Sequence, residues 1–137
     1  PLAETIEDAQ KFITDCNASI EKNDLINWAI TSKKEDKLIG MIGFFRMQPE
    51  NFRGEVGYIL NPNFHGKGIM KEALDKALQF GFRTLNFHSI EAVIDPKNTA
   101  SENLLVKANF KKEAHFKENF FYNNEFLDTI IYSLLKK

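Results

Sequence analysis

The sequence predicts one domain of the mixed α/β class, with helices packed on a central sheet. Its 137 residues are enough for a single domain with a substantial core. Thirteen phenylalanines and an apolar fraction of 43% indicate a packed globule rather than a disordered chain. Strand-like and helix-like patterns alternate along the chain, with no internal repeat or low-complexity tract. We therefore treat residues 1–137 as one domain.

The expected elements can be read in order from hydrophobic periodicity and from turn residues. We predict helices at Thr5–Ile20, Lys67–Phe82 and Thr99–Ala108. We predict strands at Asn27–Thr31, Lys37–Met47, Gly54–Leu60, Ser89–Asp95, Lys111–Tyr122 and Glu125–Leu135.

The strongest single signal is a glycine turn between a strand and an amphipathic helix. From Ile69 onward apolar residues come in pairs four apart, which is the period of a helix with one buried face. Gly66-Lys67-Gly68 stands directly before it. Free N–H groups and the helix dipole attract anions there, and glycines allow close approach of a ligand. The turn is therefore a candidate phosphate cradle, although a plain turn with a helix cap fits the spacing equally well.

Two common phosphate motifs are excluded at this turn. Met70 and Lys71 stand where a nucleoside-triphosphate loop requires other residues, and Lys71 also occupies the third glycine position of a dinucleotide fingerprint.

Gly57-Tyr58-Ile59-Leu60-x-Pro62 followed by His65-Gly66-Lys67-Gly68-Ile69-Met70-x-Glu72-Ala73 resembles the acetyl-CoA motif of GNAT-fold N-acetyltransferases. The resemblance looks closest to the branch that includes the ribosomal-protein N-terminal acetyltransferases. The family signature [Gln/Arg]-x-x-Gly-x-[Gly/Ala] here becomes His65-x-x-Gly68-x-Met70, so histidine replaces the usual first residue.

The resemblance continues downstream. Asn98-x-x-Ser101 matches the family pattern Asn-x-x-Ser, and the following helix ends at Asn109-Phe110, where the family has Gly-Phe. Asparagine is the next-best residue for the left-handed conformation at a helix end. The closing hairpin also fits, so the match runs from about Trp28 to the C-terminus.

The resemblance implies a GNAT-like mixed fold, in which a splayed central sheet is flanked by helices. The family has a further strand and helix before the position of Pro1. We expect either that this chain is a fragment or processed form, or that it does without those elements.

The resemblance also implies a set of residues for acetyl-CoA binding. They are Tyr58, Ile59, Leu60, His65, Gly66, Lys67, Gly68, Ile69, Met70, Asn98 and Ser101. At Tyr58–Leu60 the backbone is expected to act, pairing with the pantetheine arm and supplying an oxyanion donor. Core packing is the alternative for the Tyr58 and Ile59 side chains. For Asn98 and Ser101 the alternative is a capped helix with Ser101 exposed in its first turn.

Three side chains are candidates for proton transfer. Glu55 lies on the strand that crosses the expected site, and it could bind the amine or accept its proton. An outward-facing structural carboxylate is an equal alternative. Ser101 is placed near the thiol by the resemblance. Tyr122, in the final hairpin, is a second candidate acid and could equally be structural.

Other features exclude several functional classes. The net charge of −1 gives no reason to expect a nucleic-acid or acidic-membrane partner. Cys16 is the only cysteine, which is compatible with a reducing cytoplasm, and we read it as an ordinary helix-face residue. His65, His88 and His115 are widely separated and show no metal-ligand spacing, so no metal is expected.

The sequence therefore predicts a cytoplasmic N-acetyltransferase that uses acetyl-CoA to acetylate a primary amine, and it is compatible with a homodimer. The first expectation for the acceptor is a protein or peptide α-amine, and the second is a small amine such as a polyamine, an amino sugar or an antibiotic. A non-catalytic acyl-CoA-binding or sensor module is the alternative. A generic phosphate-binding domain is a weaker third reading.

Overall fold

The structure is a computed structural model that describes residues 25–32 and 37–137. The predicted helix Thr5–Ile20, Cys16 and most of the charged turn after Ser32 lie outside the described residues.

The described residues form six strands, two α-helices and two short 3-10 turns. The strands are β1 (Ile26–Ser32), β2 (Lys37–Gln48), β3 (Arg53–Leu60), β4 (Ser89–Ile94), β5 (Lys111–Tyr122) and β6 (Glu125–Leu135). The helices are α1 (Ile69–Arg83) and α2 (Thr99–Lys107), and the 3-10 turns cover Pro49–Asn51 and Pro62–Phe64. All six predicted strands and both predicted helices of this region are confirmed, with ends that move by one or two residues.

The six strands form one mixed sheet in the order β1-β2-β3-β4-β6-β5. All neighbours are antiparallel except β3 and β4, which are parallel. These two pair only where Arg53–Glu55 meets Ser89–Glu91, although both strands continue beyond that point. The central sheet therefore opens into a V whose apex lies at Glu55, and the predicted splayed mixed sheet is confirmed.

Helix α1 packs on one face of this sheet through a buried apolar stripe. Its buried residues Ala73, Leu74, Ala77 and Leu78 form the stripe that the four-residue spacing predicts. They join a core that includes Trp28, whose ring is fully buried. Burying one such large side chain contributes about 1.5–3 kcal/mol, so the stripe fixes α1 on the sheet and thereby fixes the position of its N-terminus.

Helix α1 begins two residues later than predicted, at Ile69 rather than Lys67. Gly68 is the residue before the helix and has a φ of 77°, which is left-handed and cannot belong to a right-handed helix. The apolar spacing could not show this, because it reports only the buried face.

The chain ends in a long hairpin made of β5 and β6. Its two-residue connection, Asn123-Asn124, has positive φ at both positions, as a type I′ turn requires. At the end of α2, Asn109 has a φ of 73°, which confirms the left-handed conformation expected where the family has glycine.

Candidate active site

A cavity of about 500 Å³ lies at the open end of the V, between β3, the glycine loop and the first turn of α2. Ten of the eleven predicted cofactor residues line it. They are Tyr58, Ile59, Leu60, His65, Gly66, Gly68, Ile69, Met70, Asn98 and Ser101. Lys67, Glu55 and Tyr122 are outside the lining. Two segments that are far apart in sequence, the glycine loop and the Asn98–Ser101 turn, thus form one site.

The glycine loop has the geometry of an anion cradle. Gly66 and Gly68 have φ values of 76° and 77°, in the left-handed region that glycine adopts without strain. A Cβ built on either one would meet no atom within 4 Å, so both positions face open space. Space for a bulky anion is therefore present directly in front of the loop.

The start of α1 supplies the hydrogen-bond donors. The first N–H of the helix to find a partner is that of Glu72, which donates to the Gly68 carbonyl. Among the described residues, the N–H groups of residues 66–71 have no acceptor. Gly68 also provides no side-chain cap. A pyrophosphate group fits this combination of free donors, helix dipole and open space.

The open edge of β3 provides a second set of backbone groups, which do not pair with β2. The Asn61 N–H, just after β3, donates to the carbonyl of Ile39 in β2. Along an antiparallel ladder, hydrogen-bonded residue pairs alternate with pairs that are not hydrogen-bonded to each other. The backbone groups of Tyr58 and Leu60 therefore point to the other side, toward the opening between β3 and β4. An extended amide-bearing chain could pair there as an added strand.

His65, which replaces the family's Gln or Arg, contacts this same edge. Its Nε2 lies 2.9 Å from the Leu60 carbonyl oxygen. A carbonyl only accepts, so Nε2 carries the hydrogen and donates. The histidine ring thus ties the glycine loop to the end of β3, which is a contact that the sequence did not indicate.

Asn98 and Ser101 occupy the first turn of α2. The Asn98 Oδ1 accepts the Ser101 N–H at 3.0 Å and caps the helix, as the structural alternative proposed. The second half of that alternative is wrong, because Ser101 is buried rather than exposed. Capping leaves the Asn98 Nδ2 as a free donor at the cavity wall.

Tyr58 and Ser101 are neighbours in the wall of the cavity. Burial raises the pKa of the Tyr58 phenol, and the neighbouring Ser101 hydroxyl acts in the opposite direction. The side chain of Tyr58 is half-buried beside the core, as the packing alternative predicted. That alternative is wrong for Ile59, whose side chain is exposed.

Glu55 lies at the apex of the V, on the sheet face opposite to its buried neighbours Gly54 and Val56. Its Oε1 is 3.6 Å from an Arg46 guanidinium nitrogen. Burial raises the pKa of the Glu55 carboxyl, and the positive charge of Arg46 offsets part of that rise. A half-buried carboxyl of this kind is a stronger base than an ordinary surface carboxylate.

Tyr122 is the last residue of β5, at the tip of the hairpin. Its side chain is exposed and its ring stacks on Phe120 at a centroid distance of 6.2 Å. The hairpin tip extends past the end of β4, because β6 pairs with β4 only from Ile130 onward. Tyr122 therefore lies outside the cavity, and its role as an acid stays a prediction.

The lining also includes polar helix residues that the sequence did not assign to the site. Lys71, Asn103 and Lys107 all contribute to the cavity wall. The available signal was spacing. Lys71 follows Gly68 within one helical turn, and Lys107 lies four residues after Asn103 on the same face of α2. Lys67, by contrast, is exposed and its Nζ lies 5.4 Å from the centre of the Phe64 ring.

The fold and the site together define a class of protein, namely a mixed α/β domain with a phosphate cradle beside a splayed sheet. Residues 1–111 match the family model described as "Acetyltransferase (GNAT) domain", and the chain belongs to this family. Enzymes of this family transfer acetyl groups from acetyl-CoA.

The chain is 38% identical over 110 residues to the uncharacterized N-acetyltransferase p20 of Bacillus licheniformis, covering 80% of this chain and 62% of that protein. It is 24% identical to the spermidine N(1)-acetyltransferase of Escherichia coli K12, covering 82% of this chain and 65% of the relative. The ribosomal-protein-S5-alanine acetyltransferase structure from Vibrio fischeri superimposes with a TM-score of 0.80 at 27% identity, covering 94% of this chain and 71% of that one. The chain thus spans less than two thirds of the length of the first two relatives.

The described residues lack two further features. Within 25–32 and 37–137, no three His, Cys, Asp or Glu side chains are grouped so that they could hold a metal ion. In the same part of the chain, neither helix is long and apolar enough to cross a membrane.

Proposed function

We propose that this domain catalyses direct transfer of an acetyl group from acetyl-CoA to a primary amine. The observation that carries the proposal is the single cavity that joins the glycine loop, the open edge of β3 and the buried Ser101. A phosphate-binding domain without transfer chemistry would not need the splayed strands behind its phosphate cradle.

The residues of the cavity suggest a division of roles along β3. At the outer end, the free N–H groups of residues 66–71 would hold the pyrophosphate, and Lys107 would add positive charge. Lys71 also lines the cavity, but its Nζ is paired with the Asp75 carboxylate at 2.8 Å. Further in, the backbone groups of Tyr58 and the N–H of Leu60 would pair with the pantetheine arm, because the Leu60 carbonyl already accepts from the His65 ring. Asn98 would donate from the opposite wall through its Nδ2. This arrangement would direct the thioester toward the apex of the V.

The chemistry required of the protein is modest. Acetyl-CoA, when bound, supplies an activated acyl group on a thiol leaving group. The chain must position that group, stabilise developing negative charge with an N–H donor on β3, and receive the proton of the amine. Ser101 would face the sulfur from the inner wall. Glu55 would receive the amine proton at the apex, directly or through water, because burial makes its carboxyl more basic.

For the acceptor we propose an α-amine of a protein or peptide, with a small amine as the close second. An α-amine has an ordinary pKa of about 7.7–8.0 and a lysine side chain about 10.4, so far more of the α-amine is neutral near pH 7. Among the described residues the candidate base is the half-buried Glu55 carboxylate, which suits the less basic amine. Both acceptor classes occur in the names of similar proteins. One relative is named a spermidine N(1)-acetyltransferase, and one similar structure is named a ribosomal-protein-S5-alanine acetyltransferase.

The test is a thiol-release assay with acetyl-CoA against matched acceptors. The panel contains one peptide with a free N-terminus and no lysine, its N-blocked counterpart with one lysine, spermidine, and an amino sugar. Mass spectrometry of the products identifies the acetylated nitrogen. We expect the free N-terminal peptide to turn over fastest, and faster turnover of the lysine peptide would refute the α-amine assignment.

The same assay, combined with a binding measurement, distinguishes an acetyltransferase from a non-catalytic acyl-CoA-binding module. Tight binding of acetyl-CoA in calorimetry without thiol release on any acceptor would support a non-catalytic module. Stronger binding of nucleoside triphosphates than of CoA would instead support a generic phosphate-binding domain.

A further inference from the structure

The phenol of Tyr58 is an isolated polar group at the inner end of the cavity. Its Oη is buried, and among the described residues it makes no hydrogen bond of ordinary geometry. Leaving a buried hydroxyl without a partner costs about 1–3 kcal/mol, so such a group calls for an explanation. A phenylalanine would fill the same space at no such cost.

The side-chain hydroxyl that influences Tyr58 is that of Ser101. Both residues line the cavity, and the closeness of Ser101 is sufficient to act on the Tyr58 pKa. The backbone N–H of Ser101 is already bonded to Asn98, which holds the first turn of α2 in place. The Ser101 hydroxyl, in contrast, can still rotate about its Cβ–Oγ bond. Hydrogen bonds in unliganded active sites are often long and tighten when substrate binds.

The direction of the contact follows from the protonation state of Tyr58. Burial raises the pKa of its phenol, so the phenol keeps its hydrogen at neutral pH and can donate it. If Tyr58 donates to the Ser101 Oγ, the hydrogen of Ser101 is free to point into the cavity. Without Tyr58, the Ser101 Oγ loses this donor, and the Ser101 hydrogen is no longer directed into the cavity.

We infer that Tyr58 is a positioning residue, whose phenol donates to the Ser101 Oγ and thereby aims the Ser101 hydrogen at the sulfur of bound CoA. This inference rests on the proposed function, because it requires the thiol to lie beside Ser101. Ser101 then donates a hydrogen bond to the departing thiolate, which keeps its negative charge until it takes a proton from solvent. No proton leaves Tyr58 in this scheme.

The most direct test needs no turnover. The thiolate of CoA absorbs in the far ultraviolet, so the thiol pKa of protein-bound CoA can be measured by titration. A hydrogen bond to a charged group favours the charged form, and one pKa unit corresponds to 1.36 kcal/mol. We expect Ser101→Ala to raise the pKa of the bound thiol by about one unit, and Tyr58→Phe to raise it by about half as much.

The double variant separates positioning from a direct effect. If Tyr58 acts through Ser101, adding Tyr58→Phe to Ser101→Ala produces no further rise in the thiol pKa. The charged groups of the cavity wall, Lys71 and Lys107, are unchanged in every variant and cancel from the comparison. A double variant in which the rise in thiol pKa equals the sum of the rises in the two single variants would overturn the inference.

Tyr132→Phe is the matched control. It also removes a tyrosine hydroxyl that contacts α2, since the Tyr132 Oη donates to Glu102 at 3.1 Å, but it lies outside the cavity. We expect it to leave the thiol pKa unchanged, so an equal shift in this control would mean that any loosening of α2 suffices and would overturn the inference. In turnover, Tyr58→Phe should lower kcat by roughly threefold to tenfold with little change in the KM for acetyl-CoA.

The outcomes distinguish this inference from the proposed function. Failure of the wild-type domain to bind CoA would overturn both. Binding of CoA with the same thiol pKa in wild type and Tyr58→Phe would overturn the positioning role alone.

Discussion

The two ends of the V are built in different ways. The outer end is made of consecutive residues, from the end of β3 through the glycine loop to the start of α1, and its contacts come from backbone N–H groups. The inner end is made of side chains from separate strands, since Glu55 comes from β3 and its partner Arg46 from β2. A backbone cradle tolerates change in its side chains, whereas a side-chain site at a strand junction depends on each residue. The two ends should therefore respond differently to mutation.

The largest effect is expected at the inner end. Glu55→Gln keeps the size of the side chain and removes the base, so we expect kcat to fall by about a hundredfold. The affinity for acetyl-CoA should stay nearly constant, because Glu55 lies outside the cavity lining. Steady-state kinetics with calorimetric binding of acetyl-CoA measures both quantities.

Arg46→Gln provides the matched variant for the pH dependence. The Arg46 charge lowers the pKa of Glu55, so its removal lets that pKa rise further. A base must be deprotonated to act, and activity is lost as pH falls through its pKa. The acid limb that Glu55 sets in the kcat/KM profile should therefore move to higher pH in Arg46→Gln. In Glu55→Gln only the limb set by the acceptor amine, whose ordinary pKa is about 7.7–8.0, should remain. A Glu55→Gln variant with wild-type kcat from about pH 6 to about pH 9 would show that the amine arrives already neutral.

The next largest effect is expected in the glycine loop. Gly68→Asp places a negative charge in the open space before the loop, and aspartate tolerates both the helix cap position and the left-handed φ. The fold should survive while the Kd for acetyl-CoA rises roughly 10- to 100-fold. Gly68→Asn has the same shape without the charge and should show a much smaller change. Equal Kd values for wild type and Gly68→Asp, with an unchanged circular dichroism spectrum, would exclude this loop as the phosphate site.

A smaller effect is expected for the lysine between the two glycines. Lys67→Ala should raise the Kd for acetyl-CoA by less than about threefold, because its charge is exposed and screened by salt. The side chain rests on Phe64 and does not line the cavity. Binding measured at low and high salt checks this, and a loss comparable to that of Gly68→Asp would mean that side-chain charge, not backbone, holds the anion.

The smallest effect is expected in the hairpin, away from both ends. The Glu118 N–H and the His115 ring lower the pKa of Asp128. A carboxyl whose pKa is lower in the folded state than in the unfolded chain stabilises the fold at pH values above its ordinary pKa of about 3.9. That contribution is lost as the pH falls through the pKa of the folded state. Asp128→Asn should therefore slightly lower the Tm at neutral pH, with no difference from wild type at the acid end. The kcat should change less than about twofold, and a larger loss would implicate the hairpin in catalysis.

Most of the fold was predictable because its signals are local. The apolar pairs from Ile69 onward fixed the buried face of α1, and the asparagine pair at 123–124 marked the hairpin turn. These patterns depend on helix and strand periodicity and on left-handed backbone positions, which neighbouring residues alone determine. The glycine loop was found for the same reason, since its donors and its two glycines are consecutive in sequence.

Contacts between distant segments were decided only by the tertiary structure. The sequence left open whether Ser101 is exposed, whether Glu55 has a partner and what His65 does. Each answer depends on how β3 lies between β2 and β4 and on where it leaves β4. That geometry arises from packing of the whole sheet against α1 and from strand pairing across long stretches of chain. Burial, and with it the pKa of a carboxyl or a phenol, is a property of that packing, so no local pattern in the sequence encodes it.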